Sequence, residues 1–330
     1  MSSETPYRAD GSWGRDKDGL HEWIVAVKAT FEIRPDGSLA VAEEQLDPLL
    51  APEYSGEPGM SSLCYDADLV APKPTTDMVL NATAYAPGGR PSTHFMAGLR
   101  IGPLTKVIRV VGDRTWVDGP LGGVPSEPLP VAQVPITWER AYGGYDHADP
   151  DPRNHRLDTR NPVGTGIGSR IGDPAPVFEY PGGGLEGGPA GFGAIDSFWS
   201  PRRELQGTYD QAWEEGRMPL LPEDWDPRSL LCSPPDQRPA TWLHGGELIE
   251  LANLTPGGHL RFVLPKVYLT FRTAFSTRTG TRTEEHRGRL STVVIEPDHP
   301  RVIMVWTSAL QVRRDPDYLD ETVVREKPYR

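Results

Sequence analysis

Short apolar segments separated by glycine and proline run through the first third of the chain. Residues 22–33 (EWIVAVKATFEI) partly alternate between apolar and polar positions and are rich in β-branched and aromatic side chains, which predicts a strand. It ends at Pro35-Asp36-Gly37, a sequence that favours a tight turn. Apolar residues 39–42 follow, so the two segments predict a hairpin. Further short strands are predicted over 61–70, 77–85, 93–101 and 104–111.

The last third of the chain returns to the same pattern. Strands are predicted over 247–251, 259–264, 267–273, 290–295 and 301–308. Residues 302–306 (VIMVW) contain no polar side chain, as expected of a strand that is buried on both faces. The tail from residue 313 is charged and is predicted to cross the surface.

The middle of the chain, from about residue 120 to residue 246, lacks this regular pattern and holds most of the glycine and proline. Long loops without regular structure are uncommon in compact domains, and disordered segments contain few aromatic residues. We therefore predict an ordered loop region, with one short helix over 209–217. Its tryptophans, which would pin the loops onto the β core, are Trp138, Trp199, Trp213, Trp225 and Trp242.

The pattern as a whole predicts a mostly β fold of antiparallel sandwich-like or barrel-like lobes, with long ordered Gly/Pro-rich loops and little helix. The chain divides into an N-terminal β lobe (1–135), a Gly-, Pro- and Trp-rich ordered loop region (136–246) and C-terminal β strands with a tail (247–330). No clean linker separates these parts, so one continuous domain is the alternative.

Composition and charge narrow the classes of partner. The 330 residues include 35 glycines and 35 prolines, which suits a globular protein with many turns rather than a low-complexity chain. The net charge is −12, from 34 basic and 46 acidic residues. A protein that binds nucleic acid needs a basic surface to neutralise phosphates. We therefore expect no nucleic acid partner, and no binding to an anionic membrane surface.

The cysteines and the N-terminal residues indicate the compartment. Cys64 and Cys232 are too few for a disulfide framework in a chain of this length, so we expect two free thiols in a reducing environment. The first residues are polar and lack the apolar segment of a secretion signal. No apolar run approaches the ~20 residues that span a bilayer. We therefore expect a cytoplasmic protein.

No stretch of the sequence predicts a cofactor, a metal site or a catalytic motif. Residues 164–168 (GTGIG) lack the preceding strand and following helix of a dinucleotide-binding loop. The acidic stretch 146–151 (DHADPD) is interrupted by Pro150 and does not match a calcium loop. The histidines have no zinc spacing. A triad that assembles only in space would leave no motif, but the expectation is a protein that is not an enzyme.

Tryptophan, tyrosine and arginine residues in the middle region are candidate anchors for another protein. These types dominate interface energetics because they combine a large contact area with few rotatable bonds or a planar cation. The same side chains could instead fasten the loops to the core, and the sequence leaves both interpretations open. The candidate partner-binding residues are Trp138, Arg140, Tyr142, Gly143, Gly144, Asn161, Pro162, Trp199, Arg202, Tyr209, Asp210 and Trp213.

Several of these candidates belong to a series of short stretches along nearly the whole chain. The stretches are 28–31 (KATF), 73–77 (KPTTD), 112–116 (GDRTW), 138–144 (WERAYGG), 161–166 (NPVGTG), 190–193 (AGFG), 207–210 (GTYD) with Trp213, 221–222 (LP) with Asp224, 235–237 (PDQ), 246–247 (GE) and 264–265 (LP). In this order they resemble a bacterial family catalogued as domain of unknown function 2169, which is found with type VI secretion systems. Tyr142 and Trp225 stand where the family often has phenylalanine.

The resemblance implies an adaptor or chaperone that binds a toxic effector, often one attached to a PAAR-repeat tip, and loads it onto the secretion spike. The expected partners are therefore an effector and the PAAR-repeat or spike proteins. The family has no assigned catalytic residues to carry over. Two alternatives stay open. One is a hydrolase or carbohydrate-active β enzyme with carboxylates such as Glu139 and Asp210 in a cleft, and the other is a secreted component of the system itself.

Overall fold

The structure is a computed structural model that describes residues 1–120, 122–277, 280–312 and 318–327. The chain is 43% strand and 9% helical, which confirms the prediction of a mostly β fold with little helix. Its sheets are mostly antiparallel, and none within the described ranges closes into a barrel.

The described strands are short, as the spacing of the glycine and proline residues predicts. In chain order they are β1 (Ser2–Ser3), β2 (Arg8–Arg15), β3 (His21–Ile33), β4 (Leu39–Val41), β5 (Glu53–Tyr54), β6 (Leu63–Tyr65), β7 (Asp77–Leu80), β8 (Thr83–Tyr85), β9 (His94–Ile101), β10 (Leu104–Val111), β11 (Trp116–Gly119), β12 (Gly122–Pro125), β13 (Gln133–Pro135), β14 (Tyr142–Gly143), β15 (Tyr145–Asp146), β16 (Arg156–Leu157), β17 (Thr165–Gly166), β18 (Phe178–Glu179), β19 (Leu248–Ala252), β20 (His259–Val263), β21 (Leu269–Thr277), β22 (Gly280–Arg287), β23 (Arg289–Glu296), β24 (Arg301–Val312) and β25 (Leu319–Glu326).

The described α-helix is α1 (Gln211–Gly216), which lies inside the predicted helix 209–217. The other helical segments of the described ranges are single turns of 3-10 helix. No described helix has the length and apolar character needed to cross a membrane.

A six-stranded sheet joins strands from both ends of the chain. Its order is β2–β3–β24–β23–β7, and β4 pairs with one end of β3. β3 and β24 are antiparallel along nearly their whole lengths. Val302, Met304 and Trp306 of β24 pack in one core cluster, whereas Ile303 and Val305 pack in a second cluster. The predicted burial of residues 302–306 on both faces is therefore confirmed.

Two further sheets complete the β core. The first has the order β18–β10–β9–β19–β20, and the second has the order β1–β25–β21–β22. β9 and β10 come from the N-terminal third of the chain, whereas β19 and β20 come from the C-terminal third. Hydrogen bonds therefore link the two terminal regions directly, and the sheets continue across the boundaries suggested by the sequence.

Three strands are too polar for the sequence pattern to predict: β2, β22 and β25. The expectation of a surface-crossing tail is wrong for residues 319–326, which form β25 and bury Thr322 and Val324. Trp23 Nε1 donates to Thr322 Oγ1 at 2.8 Å and ties this strand to β3. Other residues of β25 face outward, so its apolar content is low. Residues 313–317 and 328–330 of the tail lie outside the described residues.

The predicted strand over 61–70 forms only as β6. Beyond it the chain departs from extended pairing and carries Asp66 and Asp68 into ion pairs with Arg202 and Lys28. The nitrogen–oxygen distances of these pairs are 2.8 and 2.9 Å. The inward-facing carboxylates thus replace the strand that the apolar pattern suggests.

Buried polar bonds hold the middle region against the six-stranded sheet. Asp77, at the start of β7, accepts from Lys73 Nζ at 2.8 Å and from the backbone N–H groups of Cys232 and Ser233 at 3.0 and 2.9 Å. Burial raises the pKa of Asp77, but Lys73 and the Ser233 hydrogen bonds outweigh it and bring the pKa to about 2. The loop at 232–233 is therefore fixed to a core strand through one carboxylate.

Candidate functional site

The segment of residues 138–144 begins with a buried tryptophan. Trp138 opens a single 3-10 turn, and its backbone N–H donates to Ser62 Oγ at 2.9 Å. Its indole Nε1 donates to the carbonyl of Ala194 at 2.8 Å. The Trp199 ring packs edge-on against it, with ring centroids 6.2 Å apart. Both tryptophans are buried, so in this structure their side chains fasten loops to the core and do not reach the surface.

Two glycines and an asparagine fix the next part of the segment. Gly143 and Gly144 have φ values of 147° and 102°, and a Cβ on Gly143 would lie 2.3 Å from the Asn161 carbonyl oxygen. Asn161 is fully buried, and its Nδ2 donates to the carbonyls of Trp138 and Tyr142 at 2.8 and 2.9 Å. Pro162 follows and is half-buried. These residues position the backbone of the segment.

Arg202 is also buried, and each of its guanidinium nitrogens has an acceptor. They donate to the carbonyls of Ser229 and Ile195 and to Asp66 Oδ2, at distances of 2.7–2.8 Å. Burial lowers the pKa of Arg202, but the Asp66 carboxylate outweighs it, and the pKa is raised. Arg202 therefore stays charged and joins three separate segments.

Tyr209, Asp210 and Trp213 lie at the surface around α1. The Asp210 carboxylate accepts from the backbone N–H of Trp213 at 2.9 Å and caps the helix. Tyr209 is 54% exposed, and its ring packs edge-on against Trp213, with centroids 4.8 Å apart. Trp213 Nε1 donates to the nearby carbonyl of Leu220 at 2.8 Å. Of the predicted anchors, this group is the most accessible.

Arg140 lines an open cleft with a volume of about 620 Å³. We call this the Arg140 cleft and define it as residues 113–115, 126–127, 129, 139–140, 165, 174–175 and 177. Backbone bonds fix its walls: Leu129 N donates to Asp113 O at 2.9 Å, and Val177 N donates to Arg140 O at 3.0 Å. Ala175 and Val177 form an apolar floor, and Leu129 is 66% exposed at the edge. The cleft is therefore preformed and amphipathic.

Ionic contacts organise the rim of the Arg140 cleft. Arg140 Nη2 donates to Asp113 Oδ1 at 2.6 Å, and both side chains are partly exposed. Arg140 Nε is covered by protein atoms and has no acceptor within the described part of the chain. Arg114 is nearly buried and bonds to the Pro176 carbonyl and to Glu179. Both arginines thus already have carboxylate partners.

The two glutamates at the cleft differ in whether their carboxylates are already hydrogen-bonded within the protein. Glu139 accepts from the backbone N–H and the hydroxyl of Ser62, both at 2.6 Å. Burial raises the pKa of Glu139, but the Ser62 hydrogen bonds outweigh it and the pKa is lowered. Glu127 is exposed, and its carboxylate has no hydrogen bond or ion pair with any described residue. Glu127 is therefore available to a ligand, whereas Glu139 serves the fold.

A family model with the description "Uncharacterized protein conserved in bacteria (DUF2169)" matches residues 18–307. The chain belongs to this family. No curated protein and no solved structure matches it.

Three of the stretches that carry the resemblance meet at the Arg140 cleft of this DUF2169 protein. Residues 112–116 supply Asp113, Arg114 and Thr115, residues 138–144 supply Glu139 and Arg140, and residues 161–166 supply Thr165. Among the predicted site residues, Arg140 lies in the cleft itself, and Asn161, Gly143 and Gly144 hold the loops behind it. Tyr142, which is half-buried, pairs through its backbone with Thr165.

Sequence reasoning missed Asp113, Glu127 and Leu129 as site residues. Asp113 belongs to a stretch that resembles the family, but an isolated aspartate gives no sign of its arginine partner. The sequence 127–130 (EPLP) did hold a signal, because a leucine between two prolines cannot easily enter a central strand. Such a leucine in a loop indicates either a local anchor or an exposed apolar contact.

The alternative of a carboxylate pair requires Glu139 and Asp210 to share a cavity. In this DUF2169 protein Glu139 lines the Arg140 cleft, whereas Asp210 lines two cavities beside α1. Each carboxylate also accepts hydrogen bonds that stabilise its own loop or helix. The arrangement does not favour these two residues as an acid and base. Among the residues that can be described, no group of three or more His, Cys, Asp or Glu side chains could hold a metal ion.

Proposed function

We propose that this DUF2169 protein is a non-enzymatic adaptor or chaperone, which binds an effector of a type VI secretion system in the cytoplasm. The effector would be one that is attached to, or travels with, a PAAR-repeat tip, and the adaptor would help to load it onto the secretion spike. The resemblance described above suggests both the class of protein and the secretion role.

The observation that carries the proposal is the meeting of three family-like stretches at one open, preformed cleft. An apolar floor with a rim of charged side chains is typical of sites that receive part of another protein, because the floor provides affinity and the rim provides orientation. The walls are held by backbone hydrogen bonds, so binding would require little ordering of the adaptor.

The proposal is tested by measuring capture of the effectors that are encoded beside the gene. The tagged chain is co-expressed with each candidate, and the dissociation constant is then measured with the purified pair. Leu129→Ser removes an exposed apolar contact at the cleft, and we expect it to weaken binding roughly tenfold. Leu50→Ser is the matched control, because Leu50 is 69% exposed and lies outside the cleft.

Both leucines are exposed, so neither substitution should change the unfolding free energy by more than about 0.5 kcal/mol. The proposal predicts capture by the wild type and the Leu50→Ser variant and weaker capture by the Leu129→Ser variant. Failure of the wild-type chain to bind any of the neighbouring effectors, PAAR-repeat proteins or spike proteins would argue against the adaptor role.

A further inference from the structure

The charges that the Arg140 cleft offers to a ligand are negative. Its two arginines are already engaged, Arg114 with Glu179 and Arg140 with Asp113. The Glu127 carboxylate is exposed and has no partner among the described side chains. Asp113 is 61% exposed, and only its Oδ1 is bonded to Arg140. A ligand therefore meets one free carboxylate and one carboxylate oxygen of a second acidic residue.

The surroundings of the cleft are also negatively charged. Glu139 is held as an anion by Ser62, and the whole chain carries a net charge of −12. An acidic molecule attracts basic segments from a distance and repels acidic ones, which affects both the rate of association and the choice of partner. An acidic ligand side chain would compete with Asp113 for Arg140 and would be repelled by Glu127.

The apolar floor of the cleft sets a second requirement for the ligand. Ala175 and Val177 are buried against the core, and Leu129 stands 66% exposed at the edge. An apolar ligand side chain that covers Leu129 would remove the surface of Leu129 from water. Burial of apolar surface is the main favourable contribution to the binding free energy in most protein associations. The cleft thus presents apolar surface and carboxylates side by side.

We propose that the Arg140 cleft receives a segment of polypeptide that carries an apolar side chain next to a lysine or arginine. The apolar side chain covers Leu129 and the floor, and the basic side chain pairs with Glu127 and with Asp113 Oδ2. Arg140 keeps the Asp113 carboxylate oriented for this contact. The inference rests on the proposed function, since it describes the part of the effector that is held.

The test uses end-capped peptides in which leucines and lysines are spaced by glycine and serine. In matched peptides the lysines are replaced by glutamine or by glutamate, or the leucines are replaced by serine. Binding to the full chain is measured by fluorescence anisotropy at low and at physiological salt. We expect the Leu/Lys peptide to bind about tenfold more tightly than the glutamate version, and the glutamine and serine versions to lie between them.

Glu127→Lys should reverse the order of the lysine and glutamate peptides. Glu43→Lys makes the same change of charge at an exposed glutamate outside the cleft, and it should keep the wild-type order. If no peptide binds, if the lysine and glutamate peptides bind equally, or if Glu43→Lys acts like Glu127→Lys, the inference is overturned.

The same variants separate this inference from the proposed function. In one outcome the wild-type chain captures its effector, Leu129→Ser weakens capture and Glu127→Lys leaves capture unchanged. The adaptor role would then stand, and the inference that the cleft binds a basic segment would be wrong. If the wild-type chain captures no effector but the peptides follow the expected order, the cleft recognises basic, apolar segments and the adaptor role fails.

Discussion

Residues 138–144 and residues 207–224 share residue types but differ in exposure. Each contains tryptophan, tyrosine, arginine and glycine in a loop-rich stretch. Trp138 is 5% exposed and its indole donates to Ala194, 56 residues away. Trp213 is only half-buried and donates to Leu220, seven residues away. The indole of Trp138 is therefore bonded into the core, whereas the indole of Trp213 is bonded within its own surface segment.

This difference shows why residue type alone could not decide between interface anchors and loop fasteners. Trp138, Trp199 and Arg202 are residue types that are common in interface hot spots, but in this protein they are buried in the fold. Tyr209, with the same chemistry, is accessible. For the two tryptophans, burial follows how far along the chain the indole N–H finds its acceptor.

The largest effect is expected at the buried tryptophan. Trp138→Ala removes a large side chain from the core and leaves the Ala194 carbonyl without its donor, so the unfolding free energy should fall by about 3–5 kcal/mol. Tyr209→Ala, at the exposed counterpart, should change it by about 0.5 kcal/mol or less. Urea unfolding followed by tryptophan fluorescence measures both. Equal losses would remove the distinction between the two regions.

The glycine that turns the first segment should be nearly as sensitive. In Gly143→Ala the new Cβ would lie 2.3 Å from a backbone oxygen at a φ of 147°, so we expect a loss of roughly 2–4 kcal/mol. Gly88 also has a positive φ, of 64°, but a Cβ added there would meet no atom within 4 Å, and Gly88→Ala should cost only about 1 kcal/mol. The difference between the melting temperatures of the Gly143→Ala and Gly88→Ala variants measures the effect of the close contact with the Asn161 carbonyl.

Glu139 should give the first segment a pH-dependent contribution. Its pKa is lowered below the usual 4.5 in the folded state, so its stabilisation is present above that pH and is lost as the pH falls through the folded pKa. Glu139→Gln should therefore destabilise by about 1–2 kcal/mol at pH 7. The difference in stability from the wild type should shrink as the pH falls below 4.5 and through the lowered folded-state pKa. Urea midpoints between pH 3 and pH 7 test this, and a gap that widens on acidification would contradict it.

The smallest effect is expected at the helix cap of the second segment. Asp210→Ala removes the acceptor for the Trp213 backbone N–H, which should cost about 1 kcal/mol or less because the helix is short and at the surface. Glu214→Ala, on the same helix, is the control for loss of one negative charge. Hydrogen exchange of the α1 amides should detect local fraying, and a loss as large as that of Trp138→Ala would show that this segment also belongs to the core.

Much of the β core could be predicted because its strands are apolar on at least one face. Residues 104–111 and 302–306 have patterns that leave few alternatives to strands. β22 and β25 escaped prediction because many of their residues face outward. β22 pairs with β21, the strand just before it, whereas β25 also depends on a partner far along the chain, since Trp23 bonds to Thr322. Sequence spacing holds no information on such partners.

The candidate site was predicted less completely than the fold. Arg140 was identified from its type and its position in a distinctive stretch, but Asp113 and Glu127 become site residues only when three loops meet. Gly143 and Gly144 were predicted as partner-binding residues, and in the structure they allow close backbone approach to Asn161 and Gly164. Spatial convergence of loops cannot be read from a single sequence.

The pairing of β3 with β24 also sets an order of events during synthesis. Trp23 of β3 leaves the ribosome 287 residues before Leu310, its partner in β24. At bacterial elongation rates of about 5–20 residues per second, β3 waits roughly 15–60 seconds for the strand that covers it. During that interval the apolar side chains of β3 lack their native neighbours. A newly made chain therefore carries an incompletely paired, apolar β3 until its C-terminal strands have been synthesised, an interval in which exposed apolar surface favours aggregation.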